Sequence, residues 1–423
     1  MEDDGLLDLR DIVRINIDVL YFFGNMYPRF RTSVVKLFYI ARLSIFFGFF
    51  FMGIVSAELA NWYASMGNLQ AMVNASFLTL SNMVSMIKFY AIFRHQDRIF
   101  ALLESTNRKE FRPKNRQQRS ILRHFIRTMR TISLLMYGGC LFTCAFWAIS
   151  PFTDEDGPYL PIAAWVPFEP SKGTIYFEIV FAYEILATIV GGITDMSADC
   201  LIAGFLIVVC AQLKILNNSL SNIRQLSLQE ERSGLLVHDS DDDSNEPEIM
   251  WMKLQAVMDD KLVECVVHHR CVLEFAEELT SLFSYSILGQ FVVSVIIICT
   301  TLFEITMVSF MSVKFFSLIL YQYCMLMEIF ILCYFGNEVI LESNKLTNSA
   351  YHCNWRPCSM HFKENLLFFM TRSQRVLKLY AGGFFTLSLD TFVRILKSSW
   401  SYFAVLIQVN KRKLDLYEIS QGA

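Results

Sequence analysis

Residues 384–409, FFTLSLDTFVRILKSSWSYFAVLIQV, decide how the chain is read. The stretch is long enough to cross a bilayer, yet it carries Asp390, Arg394, Lys397 and Gln408. Ionisable groups are costly in hydrocarbon, so on a membrane helix they turn toward protein or water. At ~3.6 residues per turn, Arg394, Ser398, Ser401, Val405, Gln408 and Val409 share one broad stripe. It ends in Val405 and Val409, an i,i+4 pair with polar Gln408 beside it. If four copies met around an axis, the stripe would line a water path closed by an apolar constriction. These residues fit an ordinary buried membrane helix equally well.

Outward from this stretch the chain remains apolar. Of 423 residues 54% are hydrophobic and only 18% charged, with 38 Phe. A soluble protein carries about a quarter charged residues. Repeated apolar runs of ~20 residues predict an all-α polytopic protein whose solvent is the lipid bilayer. Seven spans follow: 34–56, 69–93, 131–150, 176–209, 281–303, 313–334 and a split last helix. The split comprises an amphipathic part, 362–380, a break at Gly382-Gly383, and the stretch quoted above. Paired glycines are a natural break.

The segments between spans set the orientation. Residues 1–33 form an amphipathic arm, with Leu6, Leu9, Ile12, Val13, Ile15, Val19 and Leu20 at helical spacing. Such a helix lies on the membrane surface or against the protein's own cytoplasmic face. Its acidic start does not resemble a cleavable signal, so insertion is expected to begin at the first span. Residues 94–130 hold eleven Lys and Arg. The flanking spans make this a cytoplasmic loop with helical extensions, and no nucleic-acid surface is expected. Residues 151–175 hold five of the nine prolines and predict an irregular extracellular loop. Residues 211–280 read as a polar cytoplasmic loop containing a disordered acidic patch, HDSDDDSNEPE at 238–248. An amphipathic helix over 249–278 leads from it into the fifth span, and 337–364 reads as a short cytoplasmic connection. With the N-terminus inside, the interior segments carry 26 Lys and Arg and the exterior ones four. The N-terminus is therefore expected in the cytoplasm and the C-terminus outside.

Little in the chain suggests catalysis. There is no His-Glu-x-x-His, Gly-x-Ser-x-Gly or Walker lysine. Cys265, His268, His269 and Cys271 are the best metal-like cluster, but no second ligand pair stands at a zinc spacing. No cofactor, metal or enzyme activity is expected. Asp195 and Asp199, on the long fourth span, read as structural groups near the inner boundary. None of the eleven cysteines falls in an exterior segment, so the disulfide most rhodopsin-like receptors need is missing. No inverted repeat suggests a transporter.

Residues 381–409 resemble the C-terminal signature of insect odorant receptors. A small-residue turn precedes a Phe-rich opening, then come Leu389-x-x-Phe392, a Lys397-containing middle and Tyr402-Phe403-x-x-Leu406. Ala350-Tyr351 and Cys353-x-Trp355 resemble the region before that family's last helix. The resemblance implies an odorant-gated non-selective cation channel subunit, in the plasma membrane of olfactory sensory neurons. It implies a heterotetramer with a co-receptor, a pore lined by the last helix, and a small volatile held in the outer bundle. By position Val405 and Val409 match the family's hydrophobic gate, with Gln408 the polar residue beside it. Arg394 and Lys397 depart from a cation-pore lining, since positive charge raises the barrier; pairing of Arg394 with Asp390 at i−4 would remove one of them. The short insert between spans four and five favours an odorant-tuning subunit over the co-receptor. A gustatory-type channel acting alone is the alternative, but its closing motif is built around Tyr-x-x-x-x-Gln-Phe.

Odorants have few polar atoms, so apolar burial at ~25 cal/mol/Å² must supply the affinity. Candidate contacts are Asn74, Phe77 and Leu78 on span two, and Cys140, Thr143, Cys144 and Trp147 on one face of span three. Tyr183 and Ala187 on span four and Phe316 and Tyr321 on span six complete the set. Each also fits plain helix packing. A wall of sulfur and aromatic rings suits a small aromatic odorant.

Overall fold

Helix satisfies every backbone group within one segment, which hydrocarbon demands. A computed structural model describes residues 8–27, 33–67, 69–153, 160–162, 164–166, 175–235 and 247–421. A 3₁₀ turn at Leu9–Ile12 leads into α1 (Arg14–Phe22). Next, α2 (Ser33–Leu43) runs through a π-helical segment, Ser44–Met52, into α3 (Gly53–Ala64). Then come α4 (Leu69–Ser105), α5 (Arg116–Thr153), α6 (Ile175–Ser221) and α7 (Ile223–Leu235). The chain continues as α8 (Pro247–Met307), α9 (Val313–Tyr351) and α10 (Met360–Ser373). A small antiparallel hairpin, β1 (Tyr380–Ala381) and β2 (Phe385–Thr386), precedes α11 (Leu389–Gln421).

Among the described residues, six helices are long and apolar enough to cross a membrane. They are Leu37–Ala64, Ala71–Ser105, Arg116–Thr153, Ile175–Ser221, Trp251–Met307 and Val313–Tyr351. The seventh long helix of this all-α bundle is α11, whose Asp390, Arg394 and Lys397 make it amphipathic rather than uniformly apolar. The axis of the fold is α6, in which every residue from 194 to 213 is buried. A helix that is apolar all round must be enclosed on all sides.

The expected helix over 249–278 is present, and helix extends further through the polar segments than the sequence suggested. At 61 residues, α8 is roughly 90 Å long, three times the thickness of a hydrocarbon core. Most of the expected loop at 211–280 is therefore the end of α6, all of α7 and the first half of α8. Likewise α9 continues to Tyr351, so the connection expected over 337–364 shrinks to the eight residues before α10. The reason lies in packing: Leu254, Met258, Leu262, Val272 and Phe275 of α8 and Val339 and Leu346 of α9 are buried, with ion pairs at the surface. The basic run on α4 and the α4–α5 link faces carboxylates of α8: Arg98–Glu278 at 2.8 Å, Arg108–Glu274 at 3.0 Å and Lys114–Glu264 at 2.6 Å. The acidic residues 238–246 and most of the proline-rich segment, 154–159, 163 and 167–174, lie outside the described residues. Pro151 falls in the last turn of α5.

The N-terminal arm packs on the protein itself. Leu9, Ile12, Val13, Ile17 and Leu20 are buried. A Cβ at Gly204 of α6 would come within 2.5 Å of Val13 Cγ1, so that glycine admits the arm.

The expected glycine break is a hairpin. Gly382 and Gly383 take φ of 60° and 76°, which L side chains avoid. The Gly382 amide donates to Ser284 O at 3.0 Å and Ser284 Oγ at 2.8 Å, pinning the turn on α8. The α11 start is seated on α9 by Phe392 against Phe330, with ring centroids 5.5 Å apart.

Candidate ligand site

A cavity lies among α3, α4, α5, α6 and α9. Its volume is about 80 Å³, well above the ~10–15 Å³ that admits a single water. Its aromatic end is built by one cluster. The Trp147 and Tyr321 rings lie 5.5 Å apart, and Phe77 meets Tyr321 edge-on at 5.4 Å. Helical spacing then extends the wall along each element: Leu78, Ser81, Asn82 and Ser85 on α4, and Cys140, Thr143, Cys144 and Trp147 on α5. Ala187, Gly191, Gly192 and Asp195 follow on α6, and Tyr321, Cys324, Met325 and Glu328 on α9. Gly192 is a close approach, since a Cβ there would lie 2.6 Å from Cys140 Sγ.

Of the candidate contacts, Leu78, Cys140, Thr143, Cys144, Trp147, Ala187 and Tyr321 border this cavity. Phe77 stands behind Tyr321 rather than on the wall. The other three lie elsewhere. Asn74 is one turn beyond Leu78, the Tyr183 hydroxyl abuts Gly53 on α3, and Phe316 is 40% exposed. Sequence reasoning missed Glu58, on α3, whose two carboxylate oxygens each accept from the Asn82 amide at 2.9 Å. It also stopped short on α9, where the i, i+3, i+4, i+7 series from Tyr321 leads to Glu328.

Beyond the cavity's other end lies a buried ionic network. Lys88 of α4 is 2% exposed and places its ammonium 2.9 Å from Asp195 and 2.8 Å from Asp199, both on α6. Gln290 of α8 donates from Nε2 to Asp199 at 3.2 Å and to Glu328 at 3.0 Å. Four helices therefore converge on one set of charges. Asp195, Asp199 and Glu328 are close enough together to ligate one metal ion. The Lys88 ammonium already serves two of those carboxylates. A lone lysine inside an apolar run was the available signal, because such a charge must find partners. The Cys265–Cys271 cluster is ordinary core: His268 bonds Gln212 Oε1 at 2.8 Å and His269 packs on Phe369.

On α11, Thr391, Ile395 and Ser399 are buried at i, i+4 and i+8, which fixes the helix against α8 and α9. Val405, Gln408 and Val409 are exposed. Val405 and Val409 border an open apolar groove of about 710 Å³ shared with Phe291, Val295 and Cys299 of α8. Arg394 pairs with Asp390 at 2.7 Å on the exposed side.

Residues 68–400 match the family model described as 7tm Odorant receptor. The chain belongs to that family. This receptor is 25% identical to odorant receptor Or1 of Anopheles gambiae over 364 residues, 84% of this chain and 85% of the relative. It is 25% identical to odorant receptor 46a, isoform A, of Drosophila melanogaster over 82% of this chain and 85% of that one. The odorant receptor coreceptor of Anopheles gambiae is 21% identical over 66% of this chain and 69% of its own. In fold, the receptor is similar to the solved olfactory receptor OR5 of Machilis hrabei in complex with eugenol. That match has a TM-score of 0.78 at 18% identity and covers 95% of this chain and 98% of the other. This is a multi-pass membrane protein of a receptor family, not of an enzyme family.

Proposed function

We propose that this receptor is the odorant-tuning subunit of a non-selective cation channel, assembled as a heterotetramer with a co-receptor. A small volatile binds in the cavity among α3, α4, α5, α6 and α9, and opens a pore lined by α11. One observation carries the proposal. A mainly apolar cavity with a few polar groups lies inside the bundle, while the Val405, Gln408 and Val409 face of α11 is left bare on a single chain. An exposed face with an apolar pair and one amide suits a shared axis better than lipid. The eugenol bound to OR5, an aromatic volatile, supports an aromatic odorant here. The excess of basic residues in the interior segments supports a cytoplasmic N-terminus and an extracellular C-terminus in the plasma membrane of olfactory sensory neurons.

The test is odorant-evoked current in cells expressing this chain alone and with an insect co-receptor, with surface labelling in both. Current only on co-expression is expected. Robust current from surface-labelled chain alone would overturn the tuning-subunit assignment.

A further inference from the structure

With every carboxyl ionised, the network is two positive charges short. Three carboxylates, Asp195, Asp199 and Glu328, face a single ammonium, and all four groups are buried. A proton shared between two of the carboxylates would still leave one negative charge unbalanced. Uncompensated charge in a membrane interior costs several kcal/mol, so the carboxylates either bind further protons or take a counter-ion. Among the described residues, Lys88 is the only cation within ion-pair distance of these carboxylates.

Unused hydrogen-bonding capacity marks where a counter-ion would sit. Glu328 is 2% exposed and borders the cavity, yet its Oε1 has no hydrogen-bond partner among the described residues. Asp195, also on the cavity wall, is paired with Lys88 through Oδ1 at 2.9 Å. Asp199 Oδ1 and Gln290 Oε1 behind them have no hydrogen-bond partner among the described residues. The unpartnered atoms at this end are carboxylate and amide oxygens, which accept. Glu58, the other wall carboxylate, is already satisfied by Asn82. The set does not suit a divalent metal, because the Lys88 ammonium occupies two of the three carboxylates.

We propose that the cavity takes a small protonated amine, its ammonium seated on Glu328 and Asp195 and its apolar part against Trp147 and Tyr321. The inference rests on the cavity being the odorant site and names the chemical class it prefers. Spacing agrees with it. Tyr321 and Glu328 are seven residues apart on one face of α9, about 10 Å along the helix. An ammonium carried on a short chain from a single ring spans that length. A carboxylic acid would be repelled at the same end, and an alcohol would leave the charge unbalanced.

The experiment uses the receptor purified with its co-receptor, and measures direct binding of 2-phenylethylamine and of its neutral counterpart 2-phenylethanol. At neutral pH the amine is expected to bind at least tenfold more tightly, equivalent to about 1.4 kcal/mol. Glu328→Gln, which keeps shape and the Gln290 contact, is expected to bring the two to parity. Trp147→Ala is expected to weaken both. Equal binding of the two probes by the unaltered receptor, no binding of the amine, or an amine preference unchanged in a Glu328→Gln protein of normal size-exclusion profile would each overturn the proposal. A neutral volatile whose evoked current falls on Trp147→Ala would, in that event, leave the cavity's role as odorant site standing.

Discussion

At the scale of single residues, two positions separate burial from contact. Lys88 is enclosed with Asp195 and Asp199, so removing it strands two carboxylates in the interior. Breaking a buried pair from one side costs about 3–5 kcal/mol. Lys88→Met is therefore expected to lower the melting temperature sharply and to deplete surface-labelled receptor. Lys114→Ala makes the contrast, since both partners in its pair with Glu264 are about half exposed and exposed pairs contribute 0–1 kcal/mol. Surface labelling should barely change. Gly192 tests the cavity wall itself. An added methyl must displace Cys140 Sγ, an overpacking of about 1–3 kcal/mol that also narrows the cavity. Gly192→Ala is expected to reduce odorant potency about tenfold in concentration–response recordings. Adding Cys140→Ala should restore it, because the second change removes the atom in the way.

At the scale of elements, the joint between α9 and α11 holds the last helix in place. A Cβ at Gly336 would lie 2.4 Å from Leu387 Cβ and 2.5 Å from Leu387 O. A side chain can swing aside, but a backbone carbonyl two residues before α11 cannot without moving the helix. Gly336→Ala is expected to reduce odorant-evoked current severalfold while ligand binding to the α4–α9 cavity is retained, measured on the same purified complex. Loss of both together would mean that the joint supports the whole bundle. Much of this element-level organisation was legible beforehand. The Gly382-Gly383 break was marked by paired glycines, although Gly138-Gly139 and Gly191-Gly192 are carried inside α5 and α6, with Gly139 and Gly192 as close-packing positions. The 140–143–144–147 face of α5 was visible because its spacing is that of a helix. Helix continuation through polar sequence was visible only in part: 249–278 read as a helix running into the fifth span, whereas 337–351 read as a connection. A basic run such as 94–130 resembles a loop until the acidic face of α8 is placed against it.

At the scale of the whole molecule, the bare stripe on α11 is where neighbours would meet. Val405 and Val409 lie on the rim of the α8–α11 groove, with Gln408 exposed between them. If the stripe forms the gate, shortening the apolar pair widens it. Val405→Ala, co-expressed with a co-receptor, is expected to raise current in the absence of odorant. Unchanged resting current with normal surface labelling would place the constriction elsewhere.

What the sequence determined by itself was the solvent and the architecture. Long apolar runs, basic segments between them and an amphipathic last helix leave few alternatives to a seven-helix membrane bundle, because hydrocarbon tolerates almost nothing else. The face of a helix was readable from period alone. Its neighbour was not. Lys88 and Asp199 are 111 residues apart, and nothing local to either one names the other. Glu58, Gln290 and Glu328 were passed over for the same reason: a polar residue within a span declares that it needs a partner, but only tertiary packing supplies one. The choice between arm on membrane and arm on protein was settled likewise, by the space that Gly204 leaves for Val13. Periodicity belongs to the chain. Charge balance within the cavity belongs to four helices brought together, and only the tertiary structure decides it.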